Sequence, residues 1–357
     1  MSVEFWAMGR PYAGGRNSQE FNAVKQAVRA EEIGYDGIVY VDSQNRYGDT
    51  YVAMALAAHA TSSIKLGTGV TNSFTRHPAV TASAIATVQV ESDGRAYLGI
   101  GRGDSALAHL GRAPDSVPKF ESYLERLQAY LRGEEVPFEA GGDIDSIGLA
   151  DYKESSLIFW IDEVRPPKVP VDVAATGPKV ISAAARHADR VTLNVGADAD
   201  RIRWGMEVAR SARAEAGLPA DIPFGAYVPL VVHDDPEEAA RIGTFQVALF
   251  ARFSSMYGSV VGPVSTEQRQ VMRNIHDAYD MQHHGLAGSP QDEAVTTDFA
   301  RNFGIFGPPT HCADRLAELV ELGIDKFIIR GVSLDPNDPE SRAAERFIEE
   351  VVPLLRS

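Results

Sequence analysis

Residues Leu66–Pro78 read LGTGVTNSFTRHP, and the interpretation of this stretch decides the fold. It begins as the end of an apolar run, Ile64-Lys65-Leu66, and then places glycines at alternate positions, Gly67 and Gly69. Glycine within a strand gives up side-chain packing, so it marks a bulge, a bend or a close approach of backbone to a ligand. Short polar residues follow, Thr68, Thr71, Asn72 and Ser73, and then Thr75, Arg76 and His77 ahead of Pro78. Proline suits the first turn of a helix, where its missing N–H is no loss. The stretch reads as a strand that ends in a polar bend and feeds a helix. An ordinary strand-to-helix loop fits the same residues, so the flanking sequence has to decide.

The same unit recurs on both sides. Towards the N-terminus, Val3–Met8 and Gly37–Asp42 are short apolar strands. Ser18–Ile33 carries Phe21, Val24, Ala27 and Val28 at helical spacing, with Ser18 as a cap and Gly34 as the stop; Asp49 caps an alanine-rich helix through Ala60. Towards the C-terminus, helices are predicted over Ala79–Glu91, Pro114–Leu131, Pro178–His187, Arg201–Ala216, from Pro236, over Thr310–Gly323 and over Pro339–Leu355. Strands are predicted over Arg95–Gly101, Val171–Thr176, Arg190–Val195, Phe224–Val232 and Lys326–Arg330. The alternation lapses twice, over about 137–165, read as a hairpin-like excursion, and over about 253–306, read as a helical insertion or lid. Near-continuous apolar strands alternating with helices predict a parallel sheet covered by helices. Eight such units over 357 residues predict an α/β protein of the (β/α)8 TIM-barrel type, one domain spanning 1–357, in preference to a doubly wound open sheet.

Composition narrows the function classes. Apolar content of 44% and charged content of 23% are those of a globular chain. A net charge of −15 argues against nucleic acid or an anionic membrane as partner, though not against an anionic small molecule in a locally basic pocket. The single cysteine, Cys312, excludes an internal disulfide framework and reads as structural. The N-terminal residues lack a cationic stretch followed by an apolar run, and no run is long enough to span a bilayer, so the expected location is cytoplasmic. No metal is expected. The pair His283-His284 and the run His233-Asp234-Asp235 lack zinc-type spacing and read as solvated loops.

A barrel places its chemistry just past the carboxyl ends of its strands. The residues found there are Asp42, Ser43 and Gln44 after strand two, and Thr71, Asn72, Thr75, Arg76 and His77 after strand three. Gly101-Arg102-Gly103-Asp104-Ser105 follows strand four, Thr176-Gly177-Pro178-Lys179 strand five, and Asn194 with Gly196 strand six. Thr176–Lys179 combines a hydroxyl, a glycine, a helix-opening proline and a lysine. That set describes an anion site, most naturally for phosphate, and equally a capped helix with a solvated lysine. The glycine run Gly99–Gly103 has the wrong spacing for a dinucleotide fingerprint, and Arg102-Gly103-Asp104 is an adhesion tripeptide by letters only.

Together, IKLGTGVTN with TRHPAVTASAIATV, GRAYLGIGRGD with ALAHLG, and AATGPK with the DRVTLNV strand resemble the luciferase-like flavin-dependent superfamily. Within it the chain is most similar to coenzyme F420-dependent methylenetetrahydromethanopterin reductases. The resemblance is densest over 51–111 and thin in the two insertions. It implies a barrel that binds F420, or alternatively FMN, at its carboxyl face, with a non-prolyl cis bond at Gly69-Val70 behind the ring. Thr71, Asn72, Gly101, Arg102, Gly103 and Asp104 would line the ring and side chain; Thr176, Gly177, Pro178 and Lys179 would meet the phosphate, and Asn194 would complete the cofactor site. Glu4 and Asp42 would be the catalytic residues, Glu4 by protonating or polarising the substrate. Two departures stand out: Ser43 occupies the place where many relatives carry a histidine, and Arg102 and Ser105 replace the usual proline and lysine. Three functions follow. They are F420-dependent hydride transfer with a small organic substrate, an FMN- and O2-dependent monooxygenase served by a flavin reductase, and a non-catalytic flavin-binding barrel. The alanine-rich helices over 51–60 and 80–88 further predict a homodimer, although those alanines equally suit packing on the barrel.

Overall fold

The computed structural model describes residues 3–11, 22–139, 142–331, 333–338 and 340–356. Its strands are β1 (Glu4–Gly9), β2 (Gly37–Tyr40), β3 (Lys65–Thr68), β4 (Ala96–Gly101), β5 (Val171–Ala175), β6 (Arg190–Leu193), β7 (Phe224–Val232) and β8 (Ile324–Arg330). Each pairs in parallel with the next in sequence, and β8 pairs with β1 in the register Glu4↔Lys326 to Ala7↔Ile329. The sheet is thereby closed into a (β/α)8 barrel. Past β3 the chain kinks through a cis Gly69-Val70 peptide and resumes pairing, Thr71 with Ile100 and Asn72 with Gly101 of β4. Glycine is required at 69, because a Cβ there would stand 2.4 Å from Val39 Cγ2.

The outer layer consists of α1 (Ala23–Ile33), α2 (Thr50–Ala60), α3 (Pro78–Glu91), α4 (Val117–Leu131), α5 (Pro178–His187), α6 (Ala199–Glu215), α7 (Pro236–Ala251) and α8 (Pro309–Leu322), with a further helical stretch over 342–356. Local chemistry sets their ends. Asp49 accepts the N–H groups of Tyr51 and Val52, and Gly34 closes α1 at φ 107°. The cap of α1 is Asn22, which accepts from Lys25 N; Ser18 and Pro339 lie outside the described residues. Strand alternation separates two cores. Phe5, Ile38, Leu66 and Leu98 face the helices, while Trp6, Val39, Tyr97 and Tyr227 fill the barrel interior.

The first insertion contains a two-stranded hairpin, Val136–Pro137 against Ser155–Ser156, and the short helix Phe159–Val164. The second is helical, with Thr266–Asp277 and Thr297–Phe303 as its longer pieces, and returns through the strand Ile305–Gly307, which pairs with the end of β7. Among the described residues, no helix is long and apolar enough to cross a membrane. Cys312 is buried, its thiol donating to Gly307 O, and burial pushes its pKa up to about 12.

Candidate active site

The strand ends open into a cleft of about 260 Å³ that the second insertion partly roofs. Asp42, Gly69, Val70, Thr71, Asn72, Gly101, Arg102, Gly103, Asp104, Thr176, Gly177 and Asn194 all line it, so most of the residues expected from strand ends converge. Several are positioned by identifiable contacts. Asp42 Oδ2 accepts from Thr71 Oγ1 (2.7 Å) and from Arg76 Nη1 (2.6 Å), while Arg76 Nη2 reaches Asp49 Oδ2 (2.7 Å). Burial alone would lower the Arg76 pKa, but Asp42, Tyr51 and Asp49 outweigh it and raise the value. Arg76 is thus committed to structure, and Arg112 stacks on Phe74 outside the cleft lining. Arg102 donates to Asp115 O (2.9 Å) and Tyr257 Oη (3.0 Å). Gly103 takes φ 89° to turn the chain into Ser105–Ala108.

Three buried polar atoms facing this region have no partner among the described residues: Ser43 Oγ, Asn72 Nδ2 and Asn194 Oδ1. Asn72 shows why. Its Oδ1 is consumed by the N–H groups of Phe74 (3.0 Å) and Thr75 (2.9 Å), which leaves the amide nitrogen without an acceptor. Buried polar groups are normally paired, so orphans at a cleft are the groups a polar ligand would satisfy. Helix α5 adds a further set of donors. Its N-cap is Gly177 with no side-chain cap; Pro178 has no N–H and the Val180 N–H donates to Gly177 O (3.0 Å). The donors left at the helix head are thus the Gly177 and Lys179 N–H groups, beside Thr176, whose hydroxyl donates to Asn194 O (3.1 Å). A flat polyheteroatom ring with a phosphate tail fits this donor and acceptor set.

Several expectations need correction. Glu4 opens β1 at the amino end of the barrel, whereas Met8 of the same strand lines the cleft; four residues of strand separate them by roughly 13 Å. The Glu4 carboxylate accepts from Trp6 Nε1 (2.9 Å) and Lys65 Nζ. Burial would raise its pKa, but those two bonds prevail and hold it below the usual range. It cannot meet a substrate in the cleft. Pro178 and Lys179 are exposed at the rim and do not line the cleft. His284, expected to be solvated, is tucked into the cleft wall. Its Nδ1 lies 2.7 Å from Tyr279 Oη, and burial, reinforced by Arg46 and Arg252, lowers its pKa to about 3.

Residues absent from the expected set come from the lid and from β8. Arg252 grips Asp104 with both nitrogens and lies under the Tyr279 ring at 4.3 Å. Arg46 Nη1 donates to His284 O (2.6 Å), a second tie between lid and barrel. Arg330 ends β8 inside the cleft. Its position at the carboxyl end of strand eight is a readable signal; the lid contacts carry none. Among the described residues no cluster of three or more His, Cys, Asp or Glu is arranged to hold a metal.

Fold and site together define an oxidoreductase barrel with a cofactor cleft at its carboxyl face. The sequence profile of the luciferase-like monooxygenase family matches residues 1–326, and the chain belongs to that family. It is 29% identical over 315 residues to the 5,10-methylenetetrahydromethanopterin reductase of Methanolobus tindarius, covering 87% of this chain and 90% of that one. The coenzyme F420-dependent tetrahydromethanopterin reductase of Methanopyrus kandleri superposes with a TM-score of 0.71 at 25% identity, over 99% of each chain. The FMN-bound oxygenating constituent of 3,6-diketocamphane monooxygenase from Pseudomonas putida gives 0.67 at 18% identity over 99% of each, a likeness of fold.

Proposed function

We propose that this protein is an F420-dependent oxidoreductase that moves a hydride between the deazaflavin and a small organic substrate. The observation that carries the reading is the set of orphaned Asn72, Asn194 and Ser43 atoms in the cleft, in a chain that matches an F420-dependent reductase over 99% of its length. When bound, F420 supplies or accepts the hydride at its ring. The protein's part is to hold and orient it. The Gly69–Asn72 backbone and Gly101 would lie against the ring, the Asn72 and Asn194 amides would satisfy its polar edge, and the head of α5 at Gly177 would take the phosphate. His284, a neutral imidazole beside Tyr279 in the cleft wall, would offer a ring nitrogen to hydrogen-bond the substrate, there being no histidine after Asp42.

The second reading, reduced FMN with O2 and a partner flavin reductase, is favoured by the family's monooxygenase members. Fluorescence titration with each cofactor separates them. Tight F420 binding is expected, and tight FMN binding with none of F420 would reverse the assignment.

We also infer one cytoplasmic barrel domain with two insertions, acting as a homodimer. The dimer rests on the exposed apolar side chains Val52 and Leu56 of α2 and Val80 and Val90 of α3. Light scattering should return twice the chain mass of 38.6 kDa, and Leu56→Asp should return the monomer.

A further inference from the structure

One charged side chain of the cleft has no use in the cofactor site as assigned above. Arg330, the last residue of β8, is only 8% exposed. Its Nη1 lies 3.1 Å from Met8 Sδ, a weak acceptor, and among the described residues no carboxylate pairs with it. Its neighbours differ. Arg76 is held by Asp42 and Asp49, and Arg252 by Asp104, so both cleft carboxylates are already matched. A guanidinium taken out of water without a counter-charge is costly, and proteins resolve the cost by pairing it.

Arg330 is also not the only unmatched cation on that side. Arg46, past β2, lines the same cleft, and Arg10, just past β1, lines the adjoining cavity that Arg330 also faces. Burial first, then the repulsion of Arg10 and Arg46 against the pull of Tyr47, lowers the Arg330 pKa below the usual arginine range. Arg46 spends one nitrogen on a carbonyl, and neither it nor Arg10 has a carboxylate partner among the described residues. Arg330 and Arg46 thus share one corner of the cleft where β8, β1 and β2 adjoin, with the exposed Arg10 on an adjoining cavity that Arg330 also lines, in a chain whose net charge is −15. In the ring of strands β8 stands opposite β4 and is separated from β5 by β6 and β7. An anion seated at the head of α5 therefore leaves this corner unmatched.

We propose that Arg330, flanked by Arg46 and Arg10, is the subsite for an oxyanion of the substrate, so that the molecule turned over carries a carboxylate or a phosphate-ester group. The planar fork of arginine suits either group and fixes the substrate's orientation as well as its charge. The proposal rests on the reading of the cleft as a cofactor-and-substrate site, and the test keeps the two apart.

Acetate and inorganic phosphate are titrated into the parent, Arg330→Met and Arg330→Lys, with and without F420, by calorimetry and thermal unfolding. The parent should bind at least one of them, and Arg330→Met should bind it about 10- to 100-fold more weakly, while F420 affinity stays within threefold. Arg330→Lys should recover part of the loss. In turnover, lactate should be preferred to 2-propanol if the group is a carboxylate, and glycerol 3-phosphate to glycerol if it is a phosphate. Arg330→Met should abolish the preference. Equal anion binding by the parent and Arg330→Met overturns the proposal, as does no binding by the parent. A loss of F420 affinity beyond tenfold in Arg330→Met also overturns it, because the arginine then belongs to the cofactor. Arginine-dependent anion binding in a protein that ignores F420 would uphold the subsite and refute the F420 reading instead.

Discussion

The carboxylate of Asp104, in the loop after β4, holds the guanidinium of Arg252, 148 residues further along the chain, through both of its oxygens. Side-chain exposures of 14% and 12% mark the pair as largely desolvated, and it clamps the second insertion over the cleft. Burial would lower the Arg252 pKa, but the bonds and charge of Asp104 prevail and raise it. Removing one partner strands the other, so Arg252→Met should destabilise by about 3 kcal/mol and open residues 253–303 to protease. A double-mutant cycle with Asp104→Asn should give a coupling of about 1.5–3 kcal/mol. Additivity within about 0.5 kcal/mol would mean that the clamp contributes nothing specific.

Space at the bulge makes a separate prediction. A methyl at position 69 would stand 2.4 Å from Val39 Cγ2 and 2.6 Å from Val39 Cβ. Gly69→Ala should therefore cost about 1–3 kcal/mol in urea unfolding and weaken cofactor binding. Adding Val39→Ala should recover part of the stability, since it removes the obstructing atoms. If the double variant is no better than the single, the obstruction lies elsewhere.

At the head of α5 the backbone, not the lysine, is expected to hold the cofactor phosphate, because Lys179 is exposed outside the cleft lining. Lys179→Ala should change cofactor affinity less than threefold at moderate salt, as befits a screened surface charge. A tenfold loss would restore the lysine to the site.

The barrel interior beneath the cleft carries a buried cation whose titration should be visible in stability. Lys326 Nζ lies 3.5 Å from Asp172 Oδ2 and 3.2 Å from the Tyr97 ring centroid. Desolvation, against the pull of Asp172, lowers its pKa from 10.5 to about 7. The unfolded chain therefore binds more protons than the folded one between about pH 7 and 10, and stability should rise with pH across that window. Below pH 7 both states are protonated and the desolvation penalty is present in full. Chemical unfolding of the parent against Lys326→Met at pH 7 and pH 9 tests the sign. The parent should gain more on going to the higher pH, and an equal response in both proteins would remove Lys326 as its source.

Local chemistry alone specified much of this protein. Asp49 and Gly34 terminate helices with their own atoms, apolar runs of strand length are buried wherever they lie, and eight such units of alternating type admit few closed arrangements. Because a barrel places its loops at one end, reading just past each strand found Asp42, Thr71, Asn72, Gly101 to Asp104, Thr176, Gly177 and Asn194 without any knowledge of distance. The same reasoning misplaced Glu4, since lying on the right strand does not say which end of it faces the cleft. What tertiary structure decided was partnership. Asp104 with Arg252, Arg46 with the His284 carbonyl and Lys326 with Asp172 are separated by 148, 238 and 154 positions (326 − 172). Neither residue of such a pair carries a local mark of the other. The burial that lowers the pKa of His284, and the lack of a counter-charge at Arg330, exist only once distant segments close over them. Desolvation and charge matching depend on everything within a few ångströms, and in this fold those neighbours come from the whole length of the chain.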